Sequence, residues 1–531
     1  MHPDSTFLPR WSPALGPENG LREVYGALGI QPIAAEDVRA TVAAMVEHAA
    51  CFLPEDFLRA LRFGLDHERS ALGREIYRQL LRNAAAAAAA RRPTCQDTGQ
   101  AVVFLDVGQD VRVVGGGLEE AVQRGVREGY RTLRPSIVAD ALFGRKNTGD
   151  NTPALIHVRL VEGRAIEVHL LEKGYGSENK SFMTMYPYPH GGEEAVVKYV
   201  CEMVSKAGAD WCPPGFLSVA VGGNFETAPL LAKRALLESF DMDLLLARAA
   251  SNPGDLTARE KLRVRLFEAV NRIGIGPQGL GGITTVLDVK VTTAPTHMAG
   301  LPIAVNVQCN KAHHLGAVLD GSGAVTSFAE PDFVPYVSGL EEAPAEARRL
   351  GVPMDRATRL SLRAGERVLL TGRLLAARDA AHKRMADCLA RGERLPVDLE
   401  GQFLYYVGPV APLEGEVVGS AGPTTASRMD PYTPRLLREA RLAGTIGKSE
   451  RGPEVIQAIR ETGSVYLVAT GGAGYLQSRS ITAVRTLAYE DLGPEAIREL
   501  QVVDFPAIVA VDSRGENLHE AGRRRFEAGR E

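Results

Sequence analysis

Pro93-Thr94-Cys95-Gln96-Asp97-Thr98-Gly99-Gln100 separates two stretches of opposite character. Before it, Leu80-Leu81-Arg82-Asn83 runs into seven alanines, Ala84–Ala90, a strong helix-forming sequence. After it, Ala101-Val102-Val103-Phe104-Leu105-Asp106-Val107 is an apolar run of strand length and composition. Pro93 stops the helix, so Cys95, Gln96 and Asp97 are expected at a helix-to-strand corner. Such a corner sets a thiol, an amide and a carboxylate side by side at the end of two rigid elements. Alone, the stretch reads just as well as a loop that happens to hold a cysteine; its surroundings decide.

At 531 residues the chain exceeds one ordinary core, and two or three domains are expected. With 45% hydrophobic and 24% charged residues it has the composition of a soluble globular protein. A net charge of -4 gives no basis for nucleic acid or membrane partners. No apolar run approaches the roughly 18 residues that a membrane helix needs. Met1-His2-Pro3-Asp4-Ser5 has neither a basic nor an apolar region, so a cytoplasmic location with reduced thiols is expected.

The six cysteines, at 51, 95, 201, 212, 309 and 388, form no C-x-x-C pair, which argues against zinc ribbons, thioredoxin chemistry and ferredoxin-type clusters. Residues 1–92 read mostly as helix, over Ala35–Cys51 and Pro54–Leu81, and carry no evident chemistry. Beyond Cys95, Ala154–Val161 and Ala165–Leu171 read as a hairpin turning at Glu162-Gly163-Arg164, and Glu172–Lys180 as a loop. A helix over Glu193–Ala207 leads to Trp211-Cys212-Pro213-Pro214-Gly215, which fixes Cys212 in polyproline or turn backbone before the strand Phe216–Val221. The strand Ile303–Gln308 ends at Cys309, so three cysteines stand at element ends.

Residues 341–357, rich in Ala, Arg, Glu and Pro, read as an interdomain linker. The second domain is then expected to run from 358 to 531. Its expected elements are strands at Arg367–Gly372, Phe403–Gly408 and Val465–Thr470, and helices at Ala376–Leu389, Pro434–Leu442 and Pro453–Glu461. A polar glycine loop is expected at Gly419–Arg428, a turn at Gly447-Lys448, and a charged, frayed tail after Glu516. Two motifs mislead. Gly274–Gly279 matches G-x-G-x-x-G, but a helix precedes it where a strand is needed, so nicotinamide cofactor binding is rejected. Gly447-Lys448-Ser449 lacks the P-loop glycine, since residue 442 is leucine.

Lone cysteines are usually core residues. Here Cys95 is accompanied by Gln96 and Asp97, Cys212 by two prolines, and Cys309 by His297 twelve residues earlier. Arg378, Thr424, Arg428 and Lys448 lie in polar loops or at a helix start. Guanidinium groups buried against glycine backbone bind carboxylates bidentately, although any single arginine is more often in a surface ion pair.

With these residues assembled, the sequence resembles the class I (iron–sulfur) fumarate hydratases and the related L-tartrate dehydratases, over about residues 20–515. The motifs that carry the resemblance are Cys95–Gly99, Arg145–Pro153, Lys173–Asn179, Cys212–Pro214, Gly276–Gly282, Ala377–His382 and Gly422–Asp430. Many bacterial members divide the two halves between α and β subunits, which are fused here. The resemblance implies a mixed α/β fold in two domains. The first, 1–340, would be helix-rich and carry the cluster; the second, 358–531, would be a swivelling-type β/α domain. It implies a [4Fe–4S] cluster on Cys95, Cys212 and Cys309, its fourth iron free to act as a Lewis acid.

It further implies that Gln96, Asp97, Arg134 and Gly176 line the substrate from the first domain, and Arg378, Arg428 and Lys448 from the second. Thr424 would be the base that takes the C3 proton of malate, helped by Arg378 and Asp97, while His297 and His382 orient substrate or catalytic groups. Tyr175 stands where the family usually has glycine. The expected reaction is reversible hydration of fumarate to (S)-malate by a cytoplasmic homodimer acting on a small dicarboxylate. The rivals are tartrate dehydration to oxaloacetate and mesaconate/citramalate hydration. A non-catalytic iron–sulfur redox or sensor protein is the rival of another class, and the cluster of cationic residues speaks against it.

Overall fold

The computed structural model describes residues 29–188, 190–311, 313–340 and 347–527. The fold is mixed α/β. Ten strands lie in the first half: β1 (Gln31–Ala34), β2 (Gln100–Gly108), β3 (Val111–Val114), β4 (Leu155–Val161), β5 (Ile166–Lys173), β6 (Phe182–Tyr186), β7 (Gly215–Gly223), β8 (Val286–Thr296), β9 (Leu301–Gln308) and β10 (Leu315–Leu319). They form two four-stranded sheets, ordered β10-β5-β2-β4 and β6-β9-β7-β8, with β1 and β3 paired separately.

The alanine run does form a helix, Ala71–Ala89, capped by the Ser70 side chain. The apolar stretch expected as one helix over Pro54–Leu81 is instead two, Glu55–His67 and Ala71–Ala89. The break falls where the buried Glu68 carboxylate takes the N–H groups of Arg69, Ser70 and Thr284, a long-range anchor that local periodicity cannot show. β4 and β5 are no hairpin: each pairs with β2, which lies between them. Their connection is wide enough to admit the end of β2, since Gln109 bonds Val161 O at 2.9 Å and Asp110 bonds Gly163 O at 3.1 Å. Within Glu172–Lys180, expected as a loop, Glu172 and Lys173 complete β5 and Tyr175–Glu178 forms one helical turn.

The second half holds β11 (Arg348–Val352), β12 (Arg367–Ala376), β13 (Phe403–Tyr405), β14 (Gly444–Gly447), β15 (Val465–Val468), β16 (Ile481–Ala488) and β17 (Ile497–Val511) in one seven-stranded sheet. β11 through β15 run parallel. The 15-residue β17 runs antiparallel to β15, β16 and β12 and so closes the sheet on itself. β11 lies inside the stretch read as linker: Leu350 and Val352 are its buried alternate residues, a signal too short to stand out among arginines. Residues 341–346 of that stretch lie outside the described residues, as do 1–28 of the helix-rich start.

The tail is not frayed over its described length. Leu518–Phe526 is a helix capped by Asn517, and its Gly522 packs on the Leu280 carbonyl of the first half. One buried apolar cluster runs from Leu80 and Leu81 through Tyr406 and Ala426 to Val511, so the halves share a core. None of the described helices is long and apolar enough to cross a membrane.

Candidate active site

The Pro93–Gln100 corner is pinned from both sides. Asn83 Nδ2 donates to Thr94 O and to Gly472 O, each at 3.0 Å, and Gly474 N donates to Thr94 O at 3.0 Å. Cys95 is thereby held beside the loop that follows β15, its Sγ 3.0 Å from Gln96 Oε1. Gln96 Nε2 reaches across to Pro423 O at 3.1 Å. Cys212 precedes β7 in left-handed backbone, φ 62, rather than polyproline geometry, and Gln278 (φ 55) donates from Nε2 to Pro213 O at 2.9 Å. Each such conformation costs on the order of 1–2 kcal/mol for a residue with a Cβ, so neighbouring contacts must hold both. Lys448 Nζ lies 2.6 Å from Cys212 Sγ.

Cys309 follows β9, and the next residue, Asn310, donates to Gly471 O at 2.8 Å. Cys95 and Cys212 thus meet the Gly471–Gly474 turn directly, and Cys309 is tied to it through Asn310. A Cβ at residue 471 would lie 2.9 Å from Cys212 Sγ and 2.9 Å from Gln278 Oε1, so only glycine fits. Among the described residues the three sulfurs do not gather within 4.8 Å of one another. Burial pushes the bare Cys212 thiol up to about 12 although Lys448 pulls it down, and burial raises Cys309 as well. Soft sulfurs, two buried and one half-buried, with a cation beside Cys212, fit an iron–sulfur group, which would take up their charge.

A cluster of cations gathers around Gly408. Arg134, from the first half, donates to Gly408 O at 3.4 Å and lies 3.8 Å from the Asp97 carboxylate. Arg378, between β12 and the helix Asp379–Ala390, converges on the same residue: a Cβ at Gly408 would lie 2.8 Å from its Nη1 and 3.4 Å from Arg134 Nη1. Burial and the neighbouring Arg378 bring Arg134 down to about 10, even with Asp97 opposing. The Nε atoms of both arginines are buried and unpartnered. Two guanidinium groups driven together with unmet donors call for an anionic ligand. Arg428 lies 3.3 Å from Asp379, and burial and Arg378 lower it. Burial would raise Asp97, but Arg134, Lys311 and Lys448 hold its carboxyl below the ordinary range.

These contributions have a common origin. Arg378, Thr424, Lys448 and Gly471 all follow the C-terminal ends of parallel strands, β12 to β15, and so come to one end of the closed sheet. Thr424 is buried, and its backbone links Tyr406 O (2.7 Å) to Lys448 N (3.2 Å). Gly176, after β5, points at the same place, since a Cβ there would lie 3.6 Å from Lys448 Nζ.

Residues 39–318, more than half of the chain, match the family model described as Fumarate hydratase (Fumerase). The chain belongs to this family. Residues 331–522 match the model described as Fumarase C-terminus. The chain is 31% identical to Fumarate hydratase 2 of Leishmania major over 94% of its own length and 89% of the relative's. It is 30% identical to Fumarate hydratase class I, aerobic, of Escherichia coli strain K12, covering 86% and 84% of the two chains. A Methanocaldococcus jannaschii protein provisionally named L(+)-tartrate dehydratase subunit alpha matches at 32%, over 50% of this chain and 92% of the relative. The archaeal subunit therefore corresponds to one half of this fumarate hydratase family member.

Two expected site residues stand apart. His297 is in the exposed turn between β8 and β9. Cys309 lies at the other end of the eight-residue β9, about 25 Å along the strand at roughly 3.3 Å per residue. His382 is fully buried behind Arg378: its Nδ1 bonds Arg378 O at 2.8 Å and its ring meets Tyr406 edge-on at 5.0 Å. Burial brings it down to about 4.

Conversely, sequence reasoning passed over Lys311, Glu172 and Gln278. Lys311 Nζ donates to Asp97 O and to Glu172 Oε2, both at 3.1 Å, and so buttresses the Asp97 corner. Gln278 joins Pro213 to Gly471. Lys311 stands two residues after Cys309, and Gln278 lies inside the rejected G-x-G-x-x-G stretch, so adjacency to a marked residue was the available signal.

Proposed function

We propose that this chain is a hydro-lyase that reversibly adds water to fumarate to give (S)-malate, with a [4Fe–4S] cluster held by Cys95, Cys212 and Cys309. The observation that carries the reading is the meeting of Arg134 and Arg378 over Gly408, buried and with unmet donors, in a chain that also buries the Cys95 and Cys212 thiols and half-buries Cys309. When bound, a cluster with three protein ligands supplies an open iron as Lewis acid for a substrate oxygen. The surrounding residues bind, orient and move protons.

Arg134, Arg378 and Arg428 take the two carboxylates, which an uncharged cleft could not desolvate. Lys448 sits between Cys212 Sγ and the substrate side; burial lowers it, but the cysteine sulfurs raise it, and as cluster-bound thiolates they would hold its charge. Asp97, held ionised by Arg134, Lys311 and Lys448, orients substrate and accepts hydrogen bonds. Thr424, whose main chain is bonded to that of Lys448, takes the proton at C3 on its Oγ1 in the alkoxide form, which the cations of the cleft favour. His382 acts as an orienting residue by holding the Arg378 backbone. His297, remote in its turn, carries no role here.

In this reading the first half and the second half, the latter opening with β11 rather than at residue 358, act as two domains facing one cleft, in keeping with family matches over 39–318 and 331–522. A tartrate dehydratase reading draws on the archaeal relative's name. The test is anaerobic reconstitution followed by measurement of product from each acid in turn: the new double bond by absorbance for malate and citramalate, and oxaloacetate for tartrate. Malate should give the largest kcat/KM; a larger value for tartrate would move the assignment. Thr424→Ala should keep the cluster spectrum and lose about 10²–10⁴-fold in kcat. Near-wild-type turnover in that variant would shift the base to Asp97.

A further inference from the structure

The short helix Tyr175–Glu178 sets one large side chain at the mouth of the cleft. The glycines on either side of it lie against the site: a Cβ at Gly174 would be 3.3 Å from Asp97 Oδ2, and one at Gly176 3.6 Å from Lys448 Nζ. Between them the Tyr175 N–H donates to Asp97 Oδ2 at 3.2 Å, which fixes its Cα beside the carboxylate. The phenol O–H donates to Gln100 Oε1 at 2.8 Å, so the side chain is tethered at both ends. The residue is nonetheless 45% exposed and joins none of the buried apolar clusters. The groups around it are charged. They grip carboxylates and leave the carbon skeleton between them unread.

We infer that Tyr175 is a specificity-determining residue whose ring forms an uncharged wall beside the C2–C3 segment of a bound dicarboxylate and rejects a substituent there. The inference rests on the dicarboxylate reading above. The Gln100 tether makes the ring a wall rather than a flap, because swinging it aside breaks that hydrogen bond. Burial, Glu178 and Asp97 all raise the phenol, so it stays protonated and adds no charge to the site. One extra methyl group against a fixed apolar wall changes selectivity by about 10–200-fold.

The test uses anaerobically reconstituted wild type, Y175F and Y175G. Two ratios are measured: kcat/KM for fumarate against methyl-substituted fumarate (mesaconate), and Kd for succinate against methylsuccinate. Y175G should weaken the wild-type discrimination against the methyl compounds by about tenfold or more in both ratios. Y175F, which keeps the ring, should stay within about threefold of the wild-type ratios. Tyr175→Ala carries the same expectation if the glycine variant loses its cluster absorbance. Unchanged ratios in a variant that keeps the wild-type cluster spectrum and Tm overturn the inference. If neither unsaturated acid is hydrated yet the Kd ratio shifts, the hydration reading fails and the role of Tyr175 stands.

Discussion

In the first half the cleft is lined from strand ends of both polarities: Cys95 precedes β2 and Cys212 precedes β7, while Gly176 follows β5 and Cys309 follows β9. In the second half every contribution, from Arg378 to Gly471, follows a parallel strand. The first arrangement fixes each thiol between two anchored elements, with strained backbone at Cys212 and a clamp from Asn83 on the Cys95 corner. The second sets cations on adjacent loops, where in the proposed function they would share one ligand and partly substitute for one another. The sulfur side should therefore fail all at once, and the cationic side by degrees.

Alanine at Cys95, Cys212 or Cys309 tests the first limb most strongly. Each single change should abolish both the iron–sulfur absorbance and turnover, measured after anaerobic reconstitution. A variant that keeps a full cluster would break the contrast. On the other side, Arg378→Ala should cost about 10²–10³-fold in kcat/KM, the usual loss when one donor to developing charge is removed. Arg428, whose side chain is 42% exposed, should cost only about tenfold when changed to alanine. Equal losses at the two arginines would contradict the graded arrangement.

The smallest effect concerns acid stability behind the cations. His382 titrates near 6.5 in the unfolded chain but is held neutral down to about 4 by burial. Between those values the unfolded chain binds the extra proton, so stability falls as the pH drops from about 6.5 towards 4 and is unaffected above that range. By pH 5 the loss should be about 2 kcal/mol. Urea unfolding at pH 7 and pH 5 should show His382→Gln losing less stability than wild type by about that amount.

The cysteine corner was legible because a helix former, a proline and an apolar strand are adjacent in sequence, and the helix Ala71–Ala89 and strand Gln100–Gly108 form there. The β4–β5 hairpin was misread because local pattern reports a strand and its turn but not which strand is inserted between. β14, Gly444–Gly447, was missed since a fully buried four-residue strand containing two glycines shows no alternation. The convergence of Arg134 on Arg378 joins residues far apart in the chain, so no spacing encodes it. Lys311 and Gln278 act through main-chain carbonyls, which leave no mark in a sequence.

Mössbauer spectroscopy of anaerobically iron-reconstituted protein, before and after addition of fumarate, tests most directly whether three first-half thiols leave one metal site open to a ligand gripped by second-half arginines. One iron site of the cluster should shift on addition while the others stay in place, and Arg378→Ala should weaken that response. A protein holding no iron and sulfide, or a cluster whose irons all ignore fumarate, would contradict the account.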